Sequence, residues 1–371
     1  MTQPESESLF EAVSLRALAE PECIRDLDPS VFRDHAHESG PAFLERLQVD
    51  QACSLLRQGQ AATIPDGFSA RTGLTPDQYR KLGPEFTLRV PAGYRFRTVL
   101  DFYGRDTENI SEQVFSDGLL KCFESAAGPA VLELRFRGEH VDCTTDAPDP
   151  YHAHQIAARI LGLNSDAAGM ENTFAADPLL GAAIRRQRGL RIPLTPTPWE
   201  ALSWAILGQQ INLRFAVTLR RELIALAGGL HSSGLRAHPG AASVAALNPA
   251  VLLERKFSRS KASYLLGAAE AVASGALNLD EMRNRSALRA ARLLVGVRGI
   301  GPWTVQYTLL RGLGFADCLP AGDAGLAQGL ERLTGERPSE SAIRQMLAKY
   351  SPWRSLATYH VWASLHPGDM A

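Results

Sequence analysis

The chain has 371 residues, of which 45% are hydrophobic and 21% charged, with a formal net charge of −1. That length accommodates two or three domains with sizeable cores. No apolar run approaches the roughly eighteen residues of a membrane span, and the acidic start MTQPESESLFEAV lacks the basic and apolar pattern of a signal peptide.

The cysteines Cys23, Cys53, Cys122, Cys143 and Cys318 are odd in number and widely spread. They read as free thiols in a reducing cytoplasm. His35/His37 and His152/His154 are two apart and make no metal pattern. The near-zero charge hides a split. From Pro196 onward there are 19 basic and 12 acidic residues, and before it 20 basic and 28 acidic. All five tryptophans lie in the basic part. A basic C-terminal half suits a polyanionic partner, although its arginines can equally be a solvated face.

Residues 1–84 are net acidic, with eight basic and thirteen acidic groups. Ala42 to Arg57 carries a helical apolar pattern, and Phe43, Leu47, Leu55 and Leu56 are expected to pack on the domain that follows. From Glu85 the pattern changes. Phe86-Thr87-Leu88-Arg89-Val90 alternates, Phe96 to Tyr103 suits a helix, and Val131 to Phe136 suits a strand with His140 to Thr144 as hairpin partner. Tyr151 to Leu163 suits another helix. Residues 85–195 therefore read as a small antiparallel-sheet α+β domain. Residues 196–371 read as helical throughout. The expected helices are Trp199 to Leu226, Ala242 to Leu247, Lys261 to Ser274, Asp280 to Val295, Pro302 to Leu313, Asp323 to Leu333, Glu340 to Lys349 and Trp353 to Leu365.

Within the helical part, Leu293 to Ala327 carries the chemistry. Val297-Arg298-Gly299-Ile300-Gly301 is a Gly-x-Gly turn between two apolar helical runs. Its glycines allow a tight turn and close approach of another molecule, and the amides that open the next helix suit a phosphate. About twenty residues on, Pro320-Ala321-Gly322-Asp323 ends in one carboxylate at an N-cap position. Either element alone is usually only a turn or a cap. The ordered pair is far more specific.

This pair resembles the helix-hairpin-helix/Gly-Pro-Asp superfamily of DNA glycosylases, and within it the bacterial DNA-3-methyladenine glycosylase II group. Gly299-Ile300-Gly301-Pro302-Trp303-Thr304 with Tyr307 falls on the hairpin, and Pro320 to Asp323 on the loop with the catalytic aspartate. Ala205-Ile206-Leu207-Gly208-Gln209-Gln210-Ile211 resembles the upstream helix. Pro352-Trp353-Arg354-Ser355 with His360 and Trp362 resembles the closing helix. The resemblance runs from about Phe86 to Leu365, roughly three quarters of the chain. Thr72 to Leu82 separately resembles the closing helix of AraC-type helix-turn-helix domains. The room ahead of it is too short for a recognition helix, so residues 1–84 read as a reduced, degenerate helix-turn-helix-like extension.

The resemblance implies an α+β fold: a helical extension, a small sheet domain and helix-hairpin-helix glycosylase domains. It implies base flipping in double-stranded DNA, hydrolysis of the N-glycosidic bond of alkylated purines, and base excision repair. Asp323 would stabilise positive charge on the sugar and activate water. Trp303 and Tyr307, four apart, would stack on the flipped base and favour a cationic alkylpurine by roughly 0.5–2 kcal/mol. Phe102 would be a further pocket aromatic, with plain core as the alternative. Gln210 would be the wedge, with a buried helical glutamine as the alternative. Gly299, Ile300, Gly301 and Thr304 would meet the DNA backbone. No cofactor is required. A monovalent cation at the hairpin would be held by the carbonyls of Val295, Val297 and Ile300. The position where bifunctional relatives carry a Schiff-base lysine holds Trp303, and no lysine lies between Lys261 and Lys349, which implies no strand cleavage. No membrane or obligatory protein partner is expected. Two other readings stay open: a non-catalytic DNA-binding or regulatory protein of the adaptive response, and a glycosylase for deaminated or oxidised bases.

Overall fold

The computed structural model describes residues 3–25 and 27–365. Its fold is α+β and mostly helical. One antiparallel sheet holds β1 (Glu85–Arg89), β2 (Glu112–Val114), β3 (Gly118–Ser125), β4 (Gly128–Arg137) and β5 (His140–Thr145), in the order β1-β5-β4-β3-β2. Alternation explains it. Ala130, Leu132, Leu134 and Phe136 of β4 and Val141 and Cys143 of β5 are buried, and their intervening residues are more exposed. The helices Phe96–Tyr103 and Pro150–Leu161 cover this sheet through Val99, Leu100, Ile156 and Ile160. Asp149 caps the second helix at Tyr151 N–H, and Gly162, at φ +63°, ends it.

The helical part has its own larger core, running from Met170 to Ala363. It meets the sheet domain through a buried charge cluster. Lys121 of β3 lies 2.8 Å from Glu112 and 3.3 Å from Glu200, and Arg220 lies 3.0 Å from each carboxylate. Burial works to raise the Glu112 pKa, but Arg220 and Lys121 outweigh it and hold the carboxyl ionised. Such a cluster stays stable only when every member is paired, so it fixes how the two parts meet.

Several expected elements differ. The run Trp199 to Leu226 is not one helix. It is Pro198–Gly208 and Leu213–Ala227, broken at Gln209 to Asn212, where Gln210 adopts φ +55° and Asn212 caps the second helix. Asp280 to Val295 likewise splits into Leu279–Met282 and Ala287–Val295, with Ser286 capping the latter. Pro302–Tyr307 is α-helical but Thr308–Leu313 is wound as π-helix, a local expansion associated with functional sites.

The N-terminal extension also packs differently from expectation. Phe43 and Leu47 belong to a separate small core with Phe10, Val13, Val31 and Phe32. Only Leu56 of the four expected contacts joins the sheet-domain core, together with Val49, Ala52, Phe68, Leu74 and Tyr79. The extension reaches the helical part too. Glu11 lies 3.1 Å from Arg285 and 3.8 Å from Arg289, Glu7 pairs with Arg292, and His35 hydrogen-bonds Ser286 at 2.8 Å. Its acidic residues therefore pair with a row of arginines on and just before the helix that leads into the Gly-x-Gly turn.

Candidate active site

Three distant stretches meet at one carboxylate. Asp323 caps Ala324–Thr334, with Oδ1 accepting the Leu326 N–H at 2.8 Å. The Trp362 indole N–H donates to the same oxygen at 2.9 Å, and the Trp303 indole N–H donates to Oδ2 at 3.0 Å. Asp323 is half-buried, so water and substrate still reach it. Two charge-assisted bonds beyond the cap hold both oxygens in place.

Asp323 borders a cleft of about 1260 Å³. Trp303 and Tyr307 form part of its wall, with ring centres 5.4 Å apart and planes at 34°. Tyr307 and Trp362 lie 6.3 Å apart. Trp204 and Phe102 line the cleft from the upstream helix and the sheet domain. Phe102 is 8% exposed, and its ring carries two guanidinium groups, Arg105 at 4.0 Å and Arg311 at 4.3 Å from its centre.

The Gly-x-Gly turn forms the mouth of the same cleft. Gly299 has φ +87°, and a Cβ there would lie 2.2 Å from the Tyr264 ring, so both backbone and packing demand glycine. Gln209 clamps the turn from the helix break, its Nε2 donating to the Gly299 carbonyl at 2.8 Å and the Thr304 hydroxyl at 2.9 Å. Lys261 in turn holds the Gln209 carbonyl at 2.6 Å, at the C-terminal end of Pro198–Gly208, where a cation is favoured. Burial lowers the pKa of Lys261.

The chain's sequence matches the family described as HhH-GPD superfamily base excision DNA repair protein over residues 203–352, and the AlkA N-terminal domain over residues 85–196. It is 33% identical to the DNA-3-methyladenine glycosylase of Bacillus subtilis over 209 residues, covering 55% of this chain and 69% of that protein. The chain belongs to the HhH-GPD superfamily of base excision DNA repair proteins. It is also 29% identical over 313 residues to a Mycobacterium tuberculosis protein named probable bifunctional transcriptional activator/DNA repair enzyme AlkA, covering 82% of this chain and 62% of that one. DNA-3-methyladenine glycosylase 2 of Escherichia coli is 30% identical over 185 residues, covering 49% of this chain and 62% of that one. The chain thus spans somewhat under two thirds of the latter two relatives. In structure it resembles 3-methyladenine DNA-glycosylase from Archaeoglobus fulgidus, with a TM-score of 0.67 at 18% identity over 75% of this chain and 97% of that one.

Within this HhH-GPD chain, the structure brings Asp323, Trp303, Tyr307, Phe102, Gln210 and the turn around one cleft. Four details revise the sequence reading. The Ile300 N–H donates to the Val297 carbonyl inside the turn, and its side chain is buried, so it offers no donor to a phosphate. The Thr304 hydroxyl is likewise buried and taken up by Gln209. The Gly299 and Gly301 amides remain at the mouth of the cleft, followed by the first-turn amides of Trp303 and Thr304 that open the next helix. Gln210 is exposed and left-handed, so the alternative of a buried helical glutamine does not hold; its neighbour Gln209 has the structural role. Trp303 is tied through its indole to Asp323, which couples the pocket wall to the carboxylate.

Sequence reasoning assigned no role to Arg105, Arg311, Trp204 or Tyr359, all of which line the cleft, and took Trp362 only as part of the closing helix. The four-residue spacing of Tyr307 and Arg311 was the available signal, since it places Arg311 one turn further along the pocket face. Among the described residues no group of three or more His, Cys, Asp or Glu is placed to hold a metal.

Proposed function

We propose that the chain is a DNA glycosylase that hydrolyses the N-glycosidic bond of alkylated purines and leaves an abasic site without cutting the strand. The observation that carries this reading is Asp323, held by two indoles and a helix N-terminus at the edge of an aromatic cleft. Removing a base from a duplex requires the nucleotide to be rotated out into such a slot. Positive charge then grows on the sugar, and a fixed carboxylate stabilises it and takes the proton of the attacking water. An N-alkylated purine is already a good leaving group, so no strong general acid is needed. Trp303, Tyr307 and Trp362 give the base its stacking walls. The Gly299 and Gly301 amides take the DNA phosphate, and Gln210, exposed at the helix break, fills the gap in the stack.

Lack of strand cleavage is supported by Trp303, which stands where a Schiff-base lysine would be needed. No lysine lines the cleft among the described residues, and Lys261, behind the helix break, has its ammonium on the Ile206 and Gln209 carbonyls. Val295, at the end of the helix Ala287–Val295, and Val297 and Ile300 in the turn would offer hard carbonyl oxygens to a monovalent cation, which would add positive charge facing the phosphate. Borohydride trapping on abasic-site DNA tests the lyase question. The proposal expects no covalent adduct, and a trapped complex would overturn it.

A further inference from the structure

The N-terminal extension has no part in the reaction just described, yet it touches both elements that carry it. The turn His35-Ala36-His37, at the end of the helix Pro29–His35, sends one imidazole to each. His35 hydrogen-bonds the hydroxyl of Ser286, the residue that caps the helix leading into the Gly-x-Gly turn. His37 accepts the Asp317 N–H at Nδ1, 3.3 Å away, and its ring meets that of Phe315 edge-on, with centres 5.3 Å apart. Both partners lie in the loop that ends in Asp323. His37 has a left-handed backbone, φ +62°, one of three non-glycine residues to do so among those described; Gln210 at the helix break is another. A non-glycine residue stays in that conformation only where its surroundings hold it there, and such residues gather at functional sites. Burial lowers the pKa of His37 by more than the Asp317 carboxylate raises it. The ring is therefore neutral at pH 7, and Nδ1 keeps the lone pair it needs to accept.

Asp317 is the hub of that loop. Its two carboxylate oxygens take the Arg354 guanidinium at 2.7 Å each, and one also takes the Ser351 hydroxyl at 2.8 Å. Arg354 opens the helix Arg354–Ala363, on which Trp362 donates to Asp323. From the other side, Gln306 accepts the Leu319 N–H at 2.8 Å. Gln306 lies on the helix Pro302–Tyr307 with Trp303, the second indole on Asp323. The two helices that hold the Asp323 oxygens therefore hold its loop as well. The extension adds a third support, because His37 takes the backbone N–H of Asp317 while the closing helix takes its carboxylate.

Resting on the glycosylase reading, we propose that His37 is a positioning residue for Asp323. Through it the N-terminal extension fixes the start of the catalytic loop, and with it the placement of the carboxylate against the sugar. Without the imidazole the Asp317 N–H loses its acceptor, and the loop relaxes to satisfy it. Catalysis is sensitive to such a shift, since displacing a reacting group by about 1 Å costs on the order of a hundredfold in rate. His37 lies outside the lining of the cleft, so its loss removes no contact that the cleft makes with DNA.

The test compares His37→Gly and His37→Asn with the wild type on a duplex bearing one 7-methylguanine. Both substitutes accept the left-handed backbone, and only asparagine keeps an acceptor near the place of Nδ1. In single-turnover excision, His37→Gly should lower the maximal rate by about tenfold or more. The enzyme concentration for half-maximal excision should stay within about twofold of the wild type, because binding is untouched. His37→Asn should recover most of the lost rate. Hydrogen exchange at the amides of residues 315–323 gives a readout that needs no activity. It should be faster in His37→Gly and near the wild-type rate in His37→Asn. An unchanged maximal rate or unchanged exchange in His37→Gly would overturn the proposal. Equal losses in the two variants, or a loss confined to the half-maximal concentration, would overturn it too. Failure of the wild type to release the base would instead count against the glycosylase reading itself, and the exchange rates would still decide whether His37 holds the loop.

Discussion

Replacing Asp323 by Asn separates its catalytic role from its structural one. The carboxylate accepts three hydrogen bonds, from Leu326 N–H and the Trp362 indole on Oδ1 and from the Trp303 indole on Oδ2. Asparagine caps a helix as well as aspartate does, and its oxygen can keep the Leu326 and Trp362 bonds. Its amide nitrogen then faces the Trp303 N–H, donor against donor. Losing that charge-assisted bond costs about 1.5–3 kcal/mol, which a domain of ordinary stability of about 5–15 kcal/mol tolerates. Catalysis loses far more, because both the charge facing the sugar and the proton acceptor for water disappear. Each effect alone is worth on the order of a hundredfold or more, so excision should fall by at least about a thousandfold, or about 4 kcal/mol. Binding of lesion-containing duplex should stay within about tenfold. Single-turnover base release and equilibrium binding, run beside a thermal melt, measure all three quantities. A folded variant that excises within tenfold of the wild-type rate would refute the catalytic assignment. A variant that is inactive because it does not fold would leave Asp323 as a cap.

Trp303→Phe keeps a ring in the wall but removes one indole donor from Asp323, so excision of every lesion should fall about tenfold or more, neutral and cationic alike; a loss confined to cationic bases would show that stacking, not the Asp323 contact, is what matters. Gln209→Ala removes both bonds that clamp the turn and should weaken duplex binding about tenfold with the salt slope unchanged, since no phosphate contact is lost; unaltered affinity would mean the turn holds itself. A chain starting at Gly83 should melt several degrees lower, because the apolar residues around Leu88 and Leu163 lose their cover of Leu56, Phe68, Leu74 and Tyr79. The same truncation frees Arg285, Arg289 and Arg292 from Glu7 and Glu11, so its duplex binding should steepen in salt dependence; a melting temperature equal to that of the full chain would contradict the packing described.

The hairpin and the Asp323 loop were legible because glycine and proline punctuate helical periodicity there, and a capping carboxylate has a local signature. The break at Gln209 to Asn212 was not. Ile211 and Leu213 continue the apolar spacing across it, and nothing local marks Gln210 for a left-handed backbone; the break is held by Lys261 from a distant helix. Strands β2 and β3 escaped for a related reason. Lys121 interrupts the apolar alternation of β3, and its partner Glu200 is 79 residues away in sequence. The cleft's arginines were equally hidden. Arg105 and Arg311 look like ordinary surface cations until folding sets both against Phe102. For the N-terminal extension, its apolar helices were readable. Which domain they cover depends on tertiary pairings such as Glu11 with Arg285, which no periodicity encodes.

The most direct test of the central claim is to incubate the wild-type protein with alkylated duplex DNA, identify the released material by mass spectrometry, and examine the strand before and after alkali. The glycosylase reading predicts free alkylpurine bases, and a strand that stays intact until alkali opens the abasic site. Release of no base, or a strand already cut before alkali, would contradict it.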